Sequence, residues 1–247
     1  MSWVYLSPHF DDAALSCGGL VWEQSRHNEQ VDIWTICAAE PPSGDLSPFA
    51  QELHARWQIG QNAPAQQRSK EDILSCQYLG ASYRHIPILD CIYRCHPQTA
   101  EFMYASESAL NGPLHPGDDQ LMQDLSEQLR MSLKSDTVVV CPLALGTHVD
   151  HQLTRQAAEE AGLIRWYYAD FPYVIRDKAQ LEQLEQEGWA SQVFPISQDG
   201  LAAWQDSINA HRSQISTYWL DELAMRRAIT EYLSWYNGIR LWRKPAA

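Results

Sequence analysis

The sequence predicts an α/β protein with a Rossmann-like, mainly parallel sheet flanked by helices. Three observations carry that expectation. Apolar, β-branched segments alternate with amphipathic ones along the chain, as in strand–helix–strand units. The run Thr137-Val138-Val139-Val140-Cys141 is apolar without alternation, as a strand covered on both faces should be. The chain has 247 residues, 45% hydrophobic and 20% charged, enough to bury a core without disulfide or metal staples.

The elements follow in order. Trp3-Val4-Tyr5-Leu6 is β-prone and runs into Ser7-Pro8-His9, forming the first strand. Pro8 and the pair Gly18-Gly19 bracket a loop, with a helix from Leu20 to Arg26. Val31 to Cys37 reads as the second strand, and Pro41-Pro42-Ser43-Gly44-Asp45 as an irregular loop. Helices are expected over Glu52–Gly60 and Pro64–Leu79, the second with proline in its first turn and Gly80 beyond its end. His85 to Leu89 is a short third strand, followed by irregular chain to Pro113. Leu121, Met122, Leu125, Leu129 and Leu133 repeat at helical spacing within Asp118–Lys134. After the fourth strand, at Thr137–Cys141, come a helix over His151–Ala161 and a strand over Arg165–Ala169. Trp189–Ile196 is the last expected strand, and Leu201–Trp235 is mostly helical. No repeat or linker interrupts the pattern, so residues 1–247 are read as a single domain.

Charge narrows the function classes. The 31 Asp+Glu against 18 Lys+Arg give a formal net charge of −13, which repels a phosphate backbone. Nucleic acid is therefore not expected as a partner. No run of 18 apolar residues occurs, and Met1-Ser2-Trp3 enters a strand with no basic segment before it. Neither stable membrane insertion nor a secretory signal is expected. Six scattered Cys read as reduced thiols, which points to the cytoplasm. Oligomeric state is not legible.

Two motifs carry the chemistry. Pro8-His9-Phe10-Asp11-Asp12 follows the first strand, and Thr147-His148-Val149-Asp150-His151 follows the fourth. In a 3-2-1-4-5 strand order, those strands are neighbours where the order reverses, and ligands bind there beyond the carboxyl ends. The motifs should face one another across one crevice. Together they offer three His and three Asp, a donor set suited to zinc or a similar divalent ion. Adjacent Asp11 and Asp12 repel after a buried strand unless a cation or hydrogen bonds offset them. Spacing leaves open which Asp ligates, and which of His148 and His151. A cluster larger than the metal needs leaves groups for acid and base work.

At these residues the chain resembles the PIG-L/LmbE-like deacetylases, zinc-dependent enzymes that remove N-acetyl groups from glucosaminyl substrates and related compounds. The family's opening motif, Pro/Ala-His-Pro-Asp-Asp-Glu, is matched by Pro8-His9-Phe10-Asp11-Asp12-Ala13, and its His-x-Asp-His by His148-Val149-Asp150-His151. Arg68-Ser69-Lys70-Glu71 with Leu79-Gly80 is similar to the family's Arg-x-x-Glu helix. Ala210-His211-Arg212-Ser213-Gln214 is similar to a weaker C-terminal signature. The resemblance implies one zinc per chain, with another divalent ion as the alternative, held by His9, Asp12 and His151. It makes Asp11 the general base, His148 the acid and oxyanion stabiliser, and Asp150 a residue that orients a histidine. Arg68 and Asp90 would contact a small-molecule or glycoconjugate substrate carrying an N-acetylated amino sugar. Arg68 pairing with Glu71, and Asp90 capping a turn, are the plain structural alternatives.

Ala13 and Phe10 depart from the pattern, as does Gly146, where some sugar deacetylases carry a Tyr. Tyr173 is a candidate for that phenol, with core packing as its alternative role. Cys91, Cys95 and His96 lack a fourth ligand at partner spacing and are read as a chance cluster. Two rival functions remain: a Rossmann-like sugar-phosphate or nucleotide binding module without hydrolysis, and a metal-dependent esterase. Stoichiometric zinc separates the first of these from a hydrolase.

Overall fold

A computed structural model describes residues 1–57, 64–176 and 178–245. In chain order the elements begin β1 (Ser2–Ser7), α1 (Asp12–Arg26), β2 (Gln30–Thr35), α2 (Pro48–Arg56), α3 (Pro64–Leu79) and β3 (Ser82–His85). There follow α4 (Glu107–Leu110), α5 (Asp119–Ser132), β4 (Thr137–Pro142), α6 (Val149–Glu160), β5 (Ile164–Tyr168), α7 (Tyr173–Arg176) and α8 (Ala179–Gln186). The chain closes with β6 (Ala190–Pro195), α9 (Gln198–Ala210), α10 (Arg212–Tyr218), α11 (Glu222–Ser234) and β7 (Gly238–Arg243). One seven-stranded sheet runs β3-β2-β1-β4-β5-β7-β6. The first five strands are parallel, in the expected 3-2-1-4-5 order, and β7 and β6 add antiparallel pairs. The register pairs Tyr5 with Val140, so β1 and β4 end side by side.

Several expectations need correction. Gly18 and Gly19 lie inside α1, which starts at Asp12 and not at Leu20. The glycines serve packing between helices: a Cβ on Gly18 would sit 2.4 Å from Cδ1 of Trp204 on α9. Trp204 also donates its indole N–H to the Ala14 carbonyl at 2.8 Å. α2 starts at Pro48, four residues earlier than expected, and has Trp57 as its C-cap, while residues 58–60 of the expected helix lie outside the described residues. The third strand is the polar segment Ser82–His85, exposed along most of its length at the sheet edge. The apolar Ile86–Leu89 follows it, with the Ile86 N–H still bonded to the Thr35 carbonyl at 2.8 Å. β6 is not the last strand. β7 inserts between β5 and β6, its Ile239, Leu241 and Trp242 all buried. Because β7 is an inner strand covered on both faces, it lacks the alternation that marks a half-exposed one.

No helix among the described residues is long and apolar enough to cross a membrane. All six cysteines are unpaired.

Candidate active site

Both sequence motifs sit beyond the carboxyl ends of β1 and β4. The first bends directly from strand into helix. Ser7 Oγ donates to the His9 carbonyl at 2.6 Å and accepts the Ala13 N–H at 2.9 Å. Asp12 Oδ2 accepts the His9 backbone N–H at 2.8 Å. The turn is thus closed by its own polar side chains, and Ala13 is wholly buried where the family glutamate would be. The second motif follows a loop with positive φ at Ala144, Gly146 and Thr147. Thr147, β-branched and disfavoured there, is tied down by its hydroxyl, which donates to the Asn111 carbonyl at 2.6 Å. α6 begins at Val149, two residues earlier than expected, which makes His148 its N-cap. Gly146 leaves room for an aromatic ring, since a Cβ there would lie 2.8 Å from Tyr173 Cδ1.

The donors converge on one carboxylate oxygen. Asp12 Oδ2 lies 3.1 Å from His9 Nδ1 and 3.2 Å from His151 Nε2. Ligand atoms around a tetrahedral zinc with bonds of about 2.0 Å are roughly 3.3 Å apart. The far nitrogen of each ring is held by another buried carboxylate. His9 Nε2 is 2.9 Å from Asp150 Oδ2, and His151 Nδ1 is 2.6 Å from Asp170 Oδ1. His151 Nε2 is buried and makes no hydrogen bond despite its proximity to Asp12. A buried nitrogen aimed at a carboxylate oxygen 3.2 Å away, without a well-aligned hydrogen bond to it, suits a metal ligand. These residues therefore fit a divalent ion.

The electrostatics agree. Burial works against charge on His9, yet hydrogen bonds with Asp12 and Asp150 raise its pKa to about 10. Burial likewise opposes charge on His151, but Asp12 and Asp170 push its pKa well above the usual value. Asp12 is driven the other way: burial would raise it, and His151 and His9 hold it well below the ordinary carboxylate range. Asp12 thus lies between two imidazoles that it draws toward their protonated form, a centre that favours positive charge. His148 differs. Burial, reinforced by His9 and His151, lowers its pKa well below 6.5, so its ring is neutral. Its Nδ1 accepts the Asp150 N–H at 3.2 Å, which leaves the ring proton on Nε2.

The remaining expected residues gather nearby. Arg68 Nη2 donates to Asp11 Oδ1 at 3.3 Å, and the guanidinium faces the rings of Phe10 and Trp57 at 5.6 and 5.2 Å. Phe10, a departure from the family motif, thereby braces Arg68. Arg68 does not pair with Glu71. Glu71 instead accepts from the Ser213 N–H and hydroxyl at 3.1 and 2.6 Å, joining the two weaker sequence signatures. Asp90 Oδ1 caps the turn by accepting the Ile92 N–H at 3.2 Å, while Oδ2 lies 3.8 Å from His9 Nε2. His9, Asp11, Arg68, Asp90 and His148 line one cavity of about 400 Å³, with Tyr173 and Tyr218 on its wall. Sequence reasoning missed Asp170 and Arg94. Asp170 was visible only as the first residue after a strand, and Arg94 as one more basic residue in an irregular loop.

A family model described as GlcNAc-PI de-N-acetylase (PIG-L) matches residues 4–162, and the chain belongs to that family. The chain is 28% identical over 191 residues to a 2'-N-acetylparomamine deacetylase of Streptomyces fradiae, covering 74% of this chain and 61% of the relative. It thus spans about three fifths of that relative's length. A protein of the same description from Niallia circulans is 25% identical over 207 residues, covering 76% and 72%. Among solved structures, a zinc-inhibited form of teicoplanin deacetylase superposes with a TM-score of 0.85 at 23% identity, covering 98% of this chain and 97% of that one. That likeness establishes the fold.

Proposed function

We propose that residues 1–247 form a single metal-dependent deacetylase domain that removes an N-acyl group, acetyl above all, from an amino sugar or sugar conjugate. The observation that carries this reading is the convergence of His9 Nδ1 and His151 Nε2 on Asp12 Oδ2, with Asp11 and His148 flanking them. His9, Asp12 and His151 would hold the ion, zinc by the donor chemistry. A divalent ion there supplies Lewis acidity, which ionises water near neutral pH and polarises a carbonyl.

The protein's own groups do the rest. Asp11 accepts the proton of the attacking water, and Arg68, bonded to Asp11 Oδ1, keeps that carboxylate oriented. His148 presents its Nε2–H to the cavity, where it stabilises the developing oxyanion. The amine must leave protonated, and Asp11, having taken a proton, is the group able to return one. Asp150 fixes the His9 ring through Nε2 and leaves Nδ1 for the ion. Arg68 and Asp90 line the cavity and would meet the sugar, whose size a 400 Å³ space accommodates. The two relatives named 2'-N-acetylparomamine deacetylase support this substrate class. Thiols in the core support a reducing, cytoplasmic setting.

The test is acetate release by zinc-loaded protein from a panel of N-acetylated amino sugars, aminoglycosides and glycolipids. Release from at least one, abolished by chelation and restored by zinc, is expected. Tight zinc binding with ester cleavage and no amide cleavage across the panel contradicts the reading.

A further inference from the structure

The proposed reaction leaves one fully enclosed cation without a task. Arg94, 5% exposed, lies in the segment between β3 and α4, outside both motifs. Its Nη1 donates to Asp150 Oδ1 and, at 3.1 Å, to the Leu89 carbonyl. Its Nε and Nη2 both donate to Asp118 Oδ2, at 3.1 and 2.9 Å. Tyr104 donates its hydroxyl to the same Asp118 oxygen at 2.7 Å, and its ring lies under the guanidinium at 5.2 Å. The planar fork is thereby locked from both sides, which a flexible ammonium could not reproduce.

We propose that Arg94 is a positioning residue for the metal ligand His9, acting through Asp150. Both oxygens of Asp150 are committed. Oδ1 takes Arg94, and Oδ2 takes the Cys91 N–H at 3.0 Å and His9 Nε2 at 2.9 Å. With Oδ1 engaged, the carboxylate plane cannot turn, so Oδ2 stays an acceptor in the plane of the His9 ring. That acceptor keeps the ring proton on Nε2 and the lone pair of Nδ1 toward Asp12. Asp150 is wholly buried, and among the described residues Arg94 is the one arginine or lysine that bonds it. The relay Tyr104–Asp118–Arg94–Asp150–His9 also joins the segment that forms one cavity wall to the ligand cluster. This inference rests on the reading of His9 as a ligand.

The experiment measures zinc affinity of chelator-stripped protein by competition titration, melting temperature, and the imidazole ¹⁵N shifts of His9 in the zinc-loaded form. Arg94→Met removes the fork. A double variant, Arg94→Met with Asp118→Asn, removes the opposing charge as well and guards against misfolding. In either folded variant zinc affinity should fall about 10–100-fold, the range for outer-sphere partners. The His9 pattern should change from one protonated nitrogen, Nε2, to a mixture. An Arg94 that merely held the segment in place would lower the melting temperature and leave both readouts alone. Unchanged zinc affinity and an unchanged His9 tautomer in a folded variant overturn the proposal. His9→Ala is the control: if it binds zinc as tightly as the parent, the reading of His9 as ligand fails, whatever Arg94 does.

Discussion

Asp150 Oδ2 lies 2.9 Å from His9 Nε2, although 141 positions separate the two residues in the chain. The contact joins the two motifs, and it has a counterpart: Asp170 holds His151 Nδ1 at 2.6 Å. Each carboxylate binds the ring nitrogen that faces away from Asp12. The paired arrangement fixes both imidazoles with their free nitrogens on the same side.

Asp170→Asn tests the second of these pairs. Asp170 also accepts the Leu145 N–H, through Oδ2 at 2.9 Å. An amide can accept from only one of the two partners and turns a donor toward the other. Zinc affinity should drop about 10–100-fold with the sheet intact. Unchanged affinity on competition titration would show that His151 needs no such support.

Zinc uptake should depend on pH in a defined direction. Burial favours the neutral imidazole, but Asp12 and Asp150 raise His9 to about 10, and His151 is raised as well. Both rings therefore hold a proton more tightly than a free imidazole does in metal-stripped protein. Ligation needs them deprotonated, so protons compete with the ion and the competition weakens as pH rises. Affinity should increase from pH 6 to pH 8, and calorimetry in buffers of different ionisation enthalpy should register proton release. A flat profile contradicts the ligand set.

Gly18→Ala probes the packing that seats α1. The added methyl would meet the Trp204 ring at 2.4 Å in a fully buried contact, and Trp204 is itself bonded to Ala14. Overpacking of this kind costs about 1–3 kcal/mol. Urea denaturation should give a lower midpoint with the same slope. A midpoint equal to the parent's would mean that α9 yields freely.

Much of this arrangement was legible in the sequence. Runs of apolar residues at strands 1, 2, 4 and 5 marked the parallel core, its order followed from the Rossmann-like fold class, and the motifs fell at neighbouring strand ends. Helix punctuation located α3 at Pro64–Leu79. The failures have physical reasons. Gly18 and Gly19 read as loop signals because nothing local reveals a Trp204 ring arriving from 186 residues further along. β3 is polar because it is an edge, and β7 lacks alternation because it is interior. In the site, motif spacing found the groups that face the cavity. Asp170 and Arg94 act on side chains that are distant in sequence and so left no local pattern.

The central claim is the division of labour between adjacent carboxylates. Asp12 lies between His9 and His151, whereas Asp11 lies on the cavity wall beside Arg68. An amide at position 11 keeps the shape and can still accept from Arg68, but it is a poor proton acceptor. The decisive measurement is zinc content and turnover, taken together, on Asp11→Asn and Asp12→Asn. Asp11→Asn should stay fully loaded and lose about 10²–10⁴-fold in turnover, the scale for a missing general base. Asp12→Asn should come out of purification depleted of metal and regain part of its activity with added zinc. An empty site in Asp11→Asn with a filled one in Asp12→Asn reverses the two roles, and full turnover in both removes the mechanism.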